Sequence, residues 1–538
     1  MRIAIAQINC TVGDLTGNAK KILDFTDQAK NKGASLVVTP ELALSGYPPK
    51  DILLREGFHL ACMKTLNSLV KEINDISLLL GYPCFVNGCI YNAASLICNG
   101  KIVATYLKNN LLNDSVFLEP QYFETNSDSC IFSVEGIKCG VNISTDMWKK
   151  SNIISAKEAG AEVLLLLCAL PYHINKQDLL HKLVCQRAYE TGMAIICVNL
   201  VGGQDELVFD GASFVINNKG ELTNQLNEFT EELGLIELHG SFPERGIVSS
   251  TKTKEEGIYR ALCLGVKDYI NKNGFTDVLI GLSGGIDSSL TLTIAVDALG
   301  PDRVWAVMMP SEYTADISLQ DSRAISETLH TRYSEISIKP ILDQFSNSLM
   351  KEFQLFQENE EMGIAEENLQ ARIRGTILMA LSNKYGAIVL TTGNKSEMAT
   401  GYCTLYGDMA GGLAVLKDVS KTMVYKLCEH RNSLSMVIPE RVIQRAPSAE
   451  LRPNQADQDN LPPYDVIDGI IEAYVEKGKS LYEIIDMGYS RADVQHIVNL
   501  ICANEYKRRQ SPMGISVTQH SFSRNWHYPI TSKYKDEV

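Results

Sequence analysis

The 538-residue chain has no apolar run long enough to cross a membrane; the longest, Val163 to Leu170, falls far short of the ~20 residues a spanning helix needs. Positive charge is also in deficit. Lys and Arg total 50 against 64 Asp and Glu, a net −14, so neither nucleic acid nor a membrane surface is an expected partner. The 14 cysteines are scattered, with no Cys-x-x-Cys pair and no histidine cluster at zinc spacing. That pattern predicts reduced thiols in a cytoplasmic protein. No charged-then-apolar leader is expected either, since Ile3 to Ile8 already reads as a strand. Apolar content, at 45%, is ample for large cores in two or more domains.

The most informative stretch is Gly281-Leu282-Ser283-Gly284-Gly285-Ile286-Asp287-Ser288-Ser289. Val278 to Ile280 before it is β-branched and apolar, and Leu290 to Leu299 behind it has helical spacing. A strand, a glycine-rich turn and a helix point backbone N–H groups and a helix N-terminus at one spot, which suits phosphate. Asp287 is repelled by phosphate unless a cation intervenes, so it reads as a Mg²⁺ ligand. No Lys follows the second glycine, which excludes the loop of kinases and GTPases.

The residues beyond supply partners. Val304 to Met308 reads as a second strand and Gly363 to Asn383 as a long helix. On that helix Asn368 and Arg372 are four apart and share a face, fit to hold a phosphate or ribose. A solvated helix face explains the spacing equally well. Ile388 to Thr391 repeats the strand-then-turn logic and brings Thr392 and a second carboxylate, Glu397, to a strand's C-terminal edge, where open α/β sheets bind ligands. Asp287 and Glu397 together suit Mg²⁺ on a triphosphate. Lys417, Lys421 and the basic run Lys507-Arg508-Arg509 are candidate anion contacts.

The front half alternates strands (35–39, 76–80, 163–167, 194–198) with helices (18–30, 53–74), an α/β layered pattern. Glu41, Lys108 and Ser144 each follow a strand. In that order they resemble the Glu–Lys–Cys triad of the nitrilase-type amidases over residues 1 to 240. Pro40 to Pro49 and Val201 to Gly211 are similar to the glutaminase domain of glutamine-dependent NAD synthetases. That resemblance implies Glu41 as general base, Lys108 as oxyanion stabiliser and residue 144 as nucleophile. The family's Cys-Glu-Asp is here Ser144-Thr145-Asp146, its glutamine-holding tyrosine falls at Asp114, and a glutamine-binding serine falls at Leu170; Lys176 is retained. A hydroxyl is a far weaker nucleophile than a thiolate, so the site is expected to be impaired.

From 256 to 538 the loop resembles those of the ATP pyrophosphatases, and the segments 368–374, 391–397, 406–412 and 505–510 single out the NAD synthetases. The likeness implies ATP at Gly281 to Ser288 with Thr392 and Lys421, and deamido-NAD⁺ at Asn368, Arg372, Glu397 and Lys507. It also implies Mg²⁺ at Asp287 and Glu397. One family lysine falls at Leu405.

The expected architecture is a nitrilase-like α/β sandwich (1–245), a linker (246–255) and a doubly wound parallel-sheet domain (256–538). The expected activity is ATP-dependent amidation of deamido-NAD⁺, releasing AMP and pyrophosphate, with ammonia as nitrogen source because of Ser144. Glutamine-hydrolysing synthesis is the alternative within the same chemistry, and a catalytically silent nucleotide-binding assembly protein the alternative outside it. The resemblance further implies a homo-oligomer.

Overall fold

A computed structural model of the protein describes residues 1–113, 117–250, 252–354, 363–453, 455, 461–522, 525–534 and 536. The chain divides into two units, 1–251 and 252–538.

The first unit is a four-layer α/β sandwich. One sheet carries, in order, Phe242–Pro243, Glu232–His239, Arg2–Gln7, Leu36–Val38, Ser77–Val86, Cys89–Cys98 and Lys101–Leu107. The other carries Leu222–Gln225, Phe214–Ile216, Ala194–Asn199, Val163–Cys168, Ile137–Ile143 and Ile131–Val134. Successive strand residues serve opposite faces, because side chains alternate with period two. Ile3, Ile5, Leu36, Val38 and Leu79 pack between the sheets against Val141, Ile143, Val163, Leu165 and Leu167. Ala4, Ala6, Val37, Leu78 and Leu80 face outward under helices Leu15–Asn31 and Glu56–Glu72. Leu164 and Leu166 lie under Lys150–Glu158 and Lys176–Thr191. Strands buried on both faces are continuously apolar, which is why the run from Val163 is so greasy. Truncating one such leucine to alanine costs about 2–5 kcal/mol.

Two helix boundaries differ from the sequence expectation. The first helix begins at Leu15, three residues early, because the Asp14 carboxylate accepts from Gly17 N–H at 2.9 Å and caps it. The stretch expected as one helix over 53–74 is broken: Lys50–Leu54 is a 3₁₀ turn, Arg55 is extended (φ −97°, ψ 118°), and the helix starts at Glu56.

The second unit is built on five parallel strands in the order Arg332–Glu335, Val304–Met308, Val278–Gly281, Ile388–Thr391, Leu413–Ala414. The strand order reverses between Val278–Gly281 and Ile388–Thr391, and ligands bind at such switch points outside the C-terminal ends of the strands. Helix Ile286–Leu299 leaves the first of these strands; helix Ile364–Tyr385 leads into the second and ends at Gly386, whose φ of 71° makes the left-handed turn that a side chain resists. Among the described residues no helix is long and apolar enough to cross a membrane.

Candidate functional site

A cavity of about 570 Å³ opens at the switch point. Its floor is the loop from Gly281 to Ser288. Ser288 Oγ accepts from Ser283 N–H at 3.2 Å, donates to Gly285 O at 3.0 Å and lies 3.0 Å from Ser283 Oγ, while Ser283 Oγ accepts from Gly285 N–H at 3.2 Å. These short-range bonds hold the turn open. Gly284 has φ +80°, and a Cβ there would stand 2.4 Å from Ser318 O, so the position admits no side chain. Leu282, also at the cavity, is a core residue at 1% exposure, and its N–H donates to Val307 O at 2.9 Å.

Asp287, in the first turn of helix Ile286–Leu299, meets the second carboxylate across the switch point. The Lys421 ammonium, 2% exposed, pairs with Asp287 and lies 3.7 Å from Glu397 Oε1. Asn394, overlooked in the sequence, donates from Nδ2 to Asp287 Oδ1 at 2.9 Å. Its Oδ1 also accepts from Glu397 N–H at 3.0 Å, closing a capping box at the head of helix Lys395–Thr400. Two carboxylates already facing one cation form a hard-oxygen donor set that fits Mg²⁺. Among the described residues no three or more His, Cys, Asp or Glu side chains gather as a metal cage. A metal held by these two carboxylates would draw its remaining ligands from phosphate or water, which is how Mg²⁺ usually binds.

Thr392, Asn368 and Lys507 also line the cavity. Asn368 Oδ1 accepts from Thr404 Oγ1 at 2.7 Å, and Lys507 Nζ donates to Gly401 O at 2.7 Å and Cys403 O at 2.9 Å. Arg372 is not brought to this wall: it is exposed and donates to Leu405 O at 3.2 Å. Arg374, two residues on, does line the cavity, as does Arg445 from a later segment, and Arg374 Nε donates to Met309 O at 3.0 Å. Burial lowers the Arg374 guanidinium to about 10. Lys417 is turned into structure, donating to Pro512 O at 2.8 Å. Arg508, read from sequence as part of a basic run, is buried and paired with Glu505 at 3.0 Å.

In the first unit, Glu41, Lys108 and Ser144 come together, all nearly free of solvent. Lys108 Nζ donates to Glu41 Oε1 at 2.7 Å and to both Glu119 oxygens at 2.9 Å. The Ser144 hydroxyl exerts a small lowering effect on the Glu41 carboxyl. Asn92 Nδ2 donates to Glu41 Oε1 at 2.7 Å and Ala169 N–H to Oε2 at 3.1 Å. Glu119 and Asn92 carry no motif and lie far from Glu41 in sequence, so only folding reveals them. Burial raises the Glu41 carboxyl, against the lowering pull of Lys108, and Glu119 adds to the rise. Lys108 is buried too, yet Glu119 and Glu41 hold its ammonium above the ordinary lysine value. Asp146 fixes the turn after Ser144, accepting from Tyr106 Oη at 2.7 Å and from the N–H groups of Ile143 and Asn110 at 2.9 and 2.7 Å. Lys176 is paired with Asp210 and donates to Leu170 O at 3.1 Å. Asp114 lies outside the described residues.

Residues 2–241 match the carbon-nitrogen hydrolase family and residues 258–511 the NAD synthase family. A curated glutamine-dependent NAD(+) synthetase of Xylella fastidiosa is 43% identical over 544 residues, covering 99% of each chain. The chain belongs to the glutamine-dependent NAD⁺ synthetase family. These are two-domain carbon–nitrogen ligases, and the two matched stretches fall one in each unit. The curated synthetase of Thermotoga maritima is 40% identical over 578 residues, covering all of both chains. The solved structure of the Acinetobacter baumannii synthetase in complex with ADP superimposes with a TM-score of 0.80 at 38% identity, over 100% of this chain and 99% of that one.

Proposed function

We propose that this chain makes NAD⁺ by amidating deamido-NAD⁺ in the cavity of its second unit. The observation that carries the reading is the convergence of Asp287, Glu397 and Lys421 on the serine-rich loop at the switch point. ATP occupies the loop from Gly281 to Ser288, with Thr392 and Lys421 on its phosphates; Asn368, Glu397 and Lys507 face deamido-NAD⁺. A nicotinate carboxylate oxygen attacks the α-phosphorus and pyrophosphate leaves. Ammonia then attacks the acyl carbon, AMP departs, and a proton is lost to give the amide. Adenylation is needed because a bare carboxylate offers ammonia no leaving group. The loop's N–H groups and Lys421 stabilise the phosphate charge that develops, the main contribution a protein makes to such a transfer. Asp287 and Glu397 are the residues to hold Mg²⁺, which when bound neutralises phosphate charge.

For the nitrogen, the names of the relatives favour glutamine over the free ammonia expected from Ser144. The buried Glu41–Lys108–Glu119 cluster, with Ser144 buried beside it, supports glutamine hydrolysis in the first unit, with the hydroxyl as nucleophile. Ammonia is the second reading, favoured by the hydroxyl itself. Supplying ATP, Mg²⁺ and deamido-NAD⁺ with either glutamine or ammonium, and measuring NAD⁺ and glutamate, tests both. NAD⁺ from glutamine, with matching glutamate, supports the first; NAD⁺ from ammonium alone supports the second. No NAD⁺ from either, with ATP tightly bound, overturns the synthetase reading in favour of a silent nucleotide-binding protein.

A further inference from the structure

We infer that Asn394 is the positioning residue that sets the Asp287 carboxylate for a divalent cation bound with the nucleotide; this rests on the reading of the cavity as an ATP site.

Asn394 is fully buried, and each side of its amide has a different task. Oδ1 accepts from Glu397 N–H and caps helix Lys395–Thr400. Nδ2 crosses the switch point and donates to Asp287 Oδ1 at 2.9 Å. The residue's own N–H donates to Glu397 Oε2 at 3.2 Å. One residue thus touches both carboxylates, which come from segments 110 positions apart in sequence. The terminal torsion of an aspartate is broad, so a single contact does not fix the plane of its carboxylate. Lys421 holds Oδ2 and Asn394 holds Oδ1, and two contacts on opposite oxygens do fix it. Partners that hold a metal ligand in this way typically govern affinity by about 10–100-fold.

The two tasks separate by substitution. Asn394→Ser keeps an oxygen at the cap, since serine three residues ahead of glutamate is itself a capping box, and the backbone bond to Glu397 is untouched. The only contact removed is the one to Asp287. Asn394→Ala removes both.

The test uses the full chain, α,β-methylene-ATP (which cannot release pyrophosphate) and Mn²⁺, with free Mn²⁺ read by electron paramagnetic resonance. The expected result for Asn394→Ser is Mn²⁺ binding weaker by about 10–100-fold at saturating analogue, with an unchanged thermal midpoint and unchanged metal-free binding of the analogue. Asn394→Ala is expected to lose the same affinity and also thermal stability; Asn394→Thr, a second capping residue, replaces Asn394→Ser if that variant is poorly folded. Wild-type Mn²⁺ affinity in a folded Asn394→Ser or Asn394→Thr protein overturns the inference while leaving the ATP site standing. Failure of the wild-type chain to bind Mn²⁺ with the analogue overturns the ATP-site reading itself.

Discussion

Buried Lys421 and half-buried Asp287 form an ion pair between a helix that follows the last strand of the parallel sheet and the helix that follows the central one. A buried cation with one partner is poorly compensated, and Glu397 at 3.7 Å supplies the second. Asp287→Asn removes the formal charge while keeping the shape. It is expected to lower the rate of NAD⁺ formation from ammonium on the order of 10²–10³-fold, the scale of losing one preorganised electrostatic contact. Steady-state kinetics at saturating ATP check it; turnover within a few-fold of wild type refutes the role given to Asp287.

In the first unit, Glu41→Gln is expected to reduce glutamate release from glutamine by on the order of 10²–10⁴-fold, the usual worth of a general base. Ser144→Cys is expected to raise it, because the thiol sits beside the same base and is intrinsically the better nucleophile. Glutamate assays on the two variants check this, and a Ser144→Cys enzyme slower than wild type argues against Ser144 as the attacking atom.

Among the described residues of the second unit Lys395 and Asp418 form a deeply buried ion pair, at 2.9 Å with 1% and 0% exposure, and Lys395 also reaches Glu476 at 2.7 Å. Lys395→Met leaves Asp418 without its cation. Val517 and Thr518 N–H groups still donate to that carboxylate at 2.8 and 2.7 Å, so the loss falls at the low end for a broken buried pair, about 3 kcal/mol. Urea unfolding of the variant measures it.

Asp408 provides a pH signature. Loss of hydration around its carboxyl at the cavity wall pushes it up to about 6, against the lowering effect of Thr404 N–H and Lys507, although the residue as a whole is exposed. The folded chain therefore keeps a proton that the unfolded chain, at an ordinary value of 3.8, has already lost. Stability from this group is full below the unfolded value and is lost as pH rises through the folded one. Asp408→Asn removes the titration, so its thermal midpoint relative to wild type is expected to rise between pH 5 and pH 7.5. Because Asp408 opens to the cavity, water screens part of the effect. A constant difference across that range contradicts the assignment.

The loop from Gly281 was legible because its signals are local: a β-branched run, glycines, then helical spacing within about twenty residues. The double burial of Val163–Cys168 was legible for the same reason. What sequence did not disclose depends on direction. Asn368 and Arg372 do share a helix face, but the cavity sees residues 364, 367, 368, 371, 374, 375 and 378. Asn368 stands at one margin of that stripe, and Arg372 lies about 40° beyond it at 3.6 residues per turn. Spacing fixes which residues are neighbours and leaves open which side of the helix the ligand approaches. Glu119, Asn92 and Asn394 were missed because each acts on a partner brought close only by the sheet. The break at Arg55 was missed because Leu53 is buried like the helical residues after it, so the apolar pattern runs straight through.

The left-handed backbone at Ser144, φ +45°, limits which side chains the strand end accepts. Branching at Cβ is poorly tolerated there, which bars threonine, whereas serine and cysteine differ by one atom and fit the same turn. A change between thiol and hydroxyl at this position therefore alters reactivity without rebuilding the pocket. The reactivity of the first unit thus hangs on one side-chain atom, while the turn that presents it is set by the backbone.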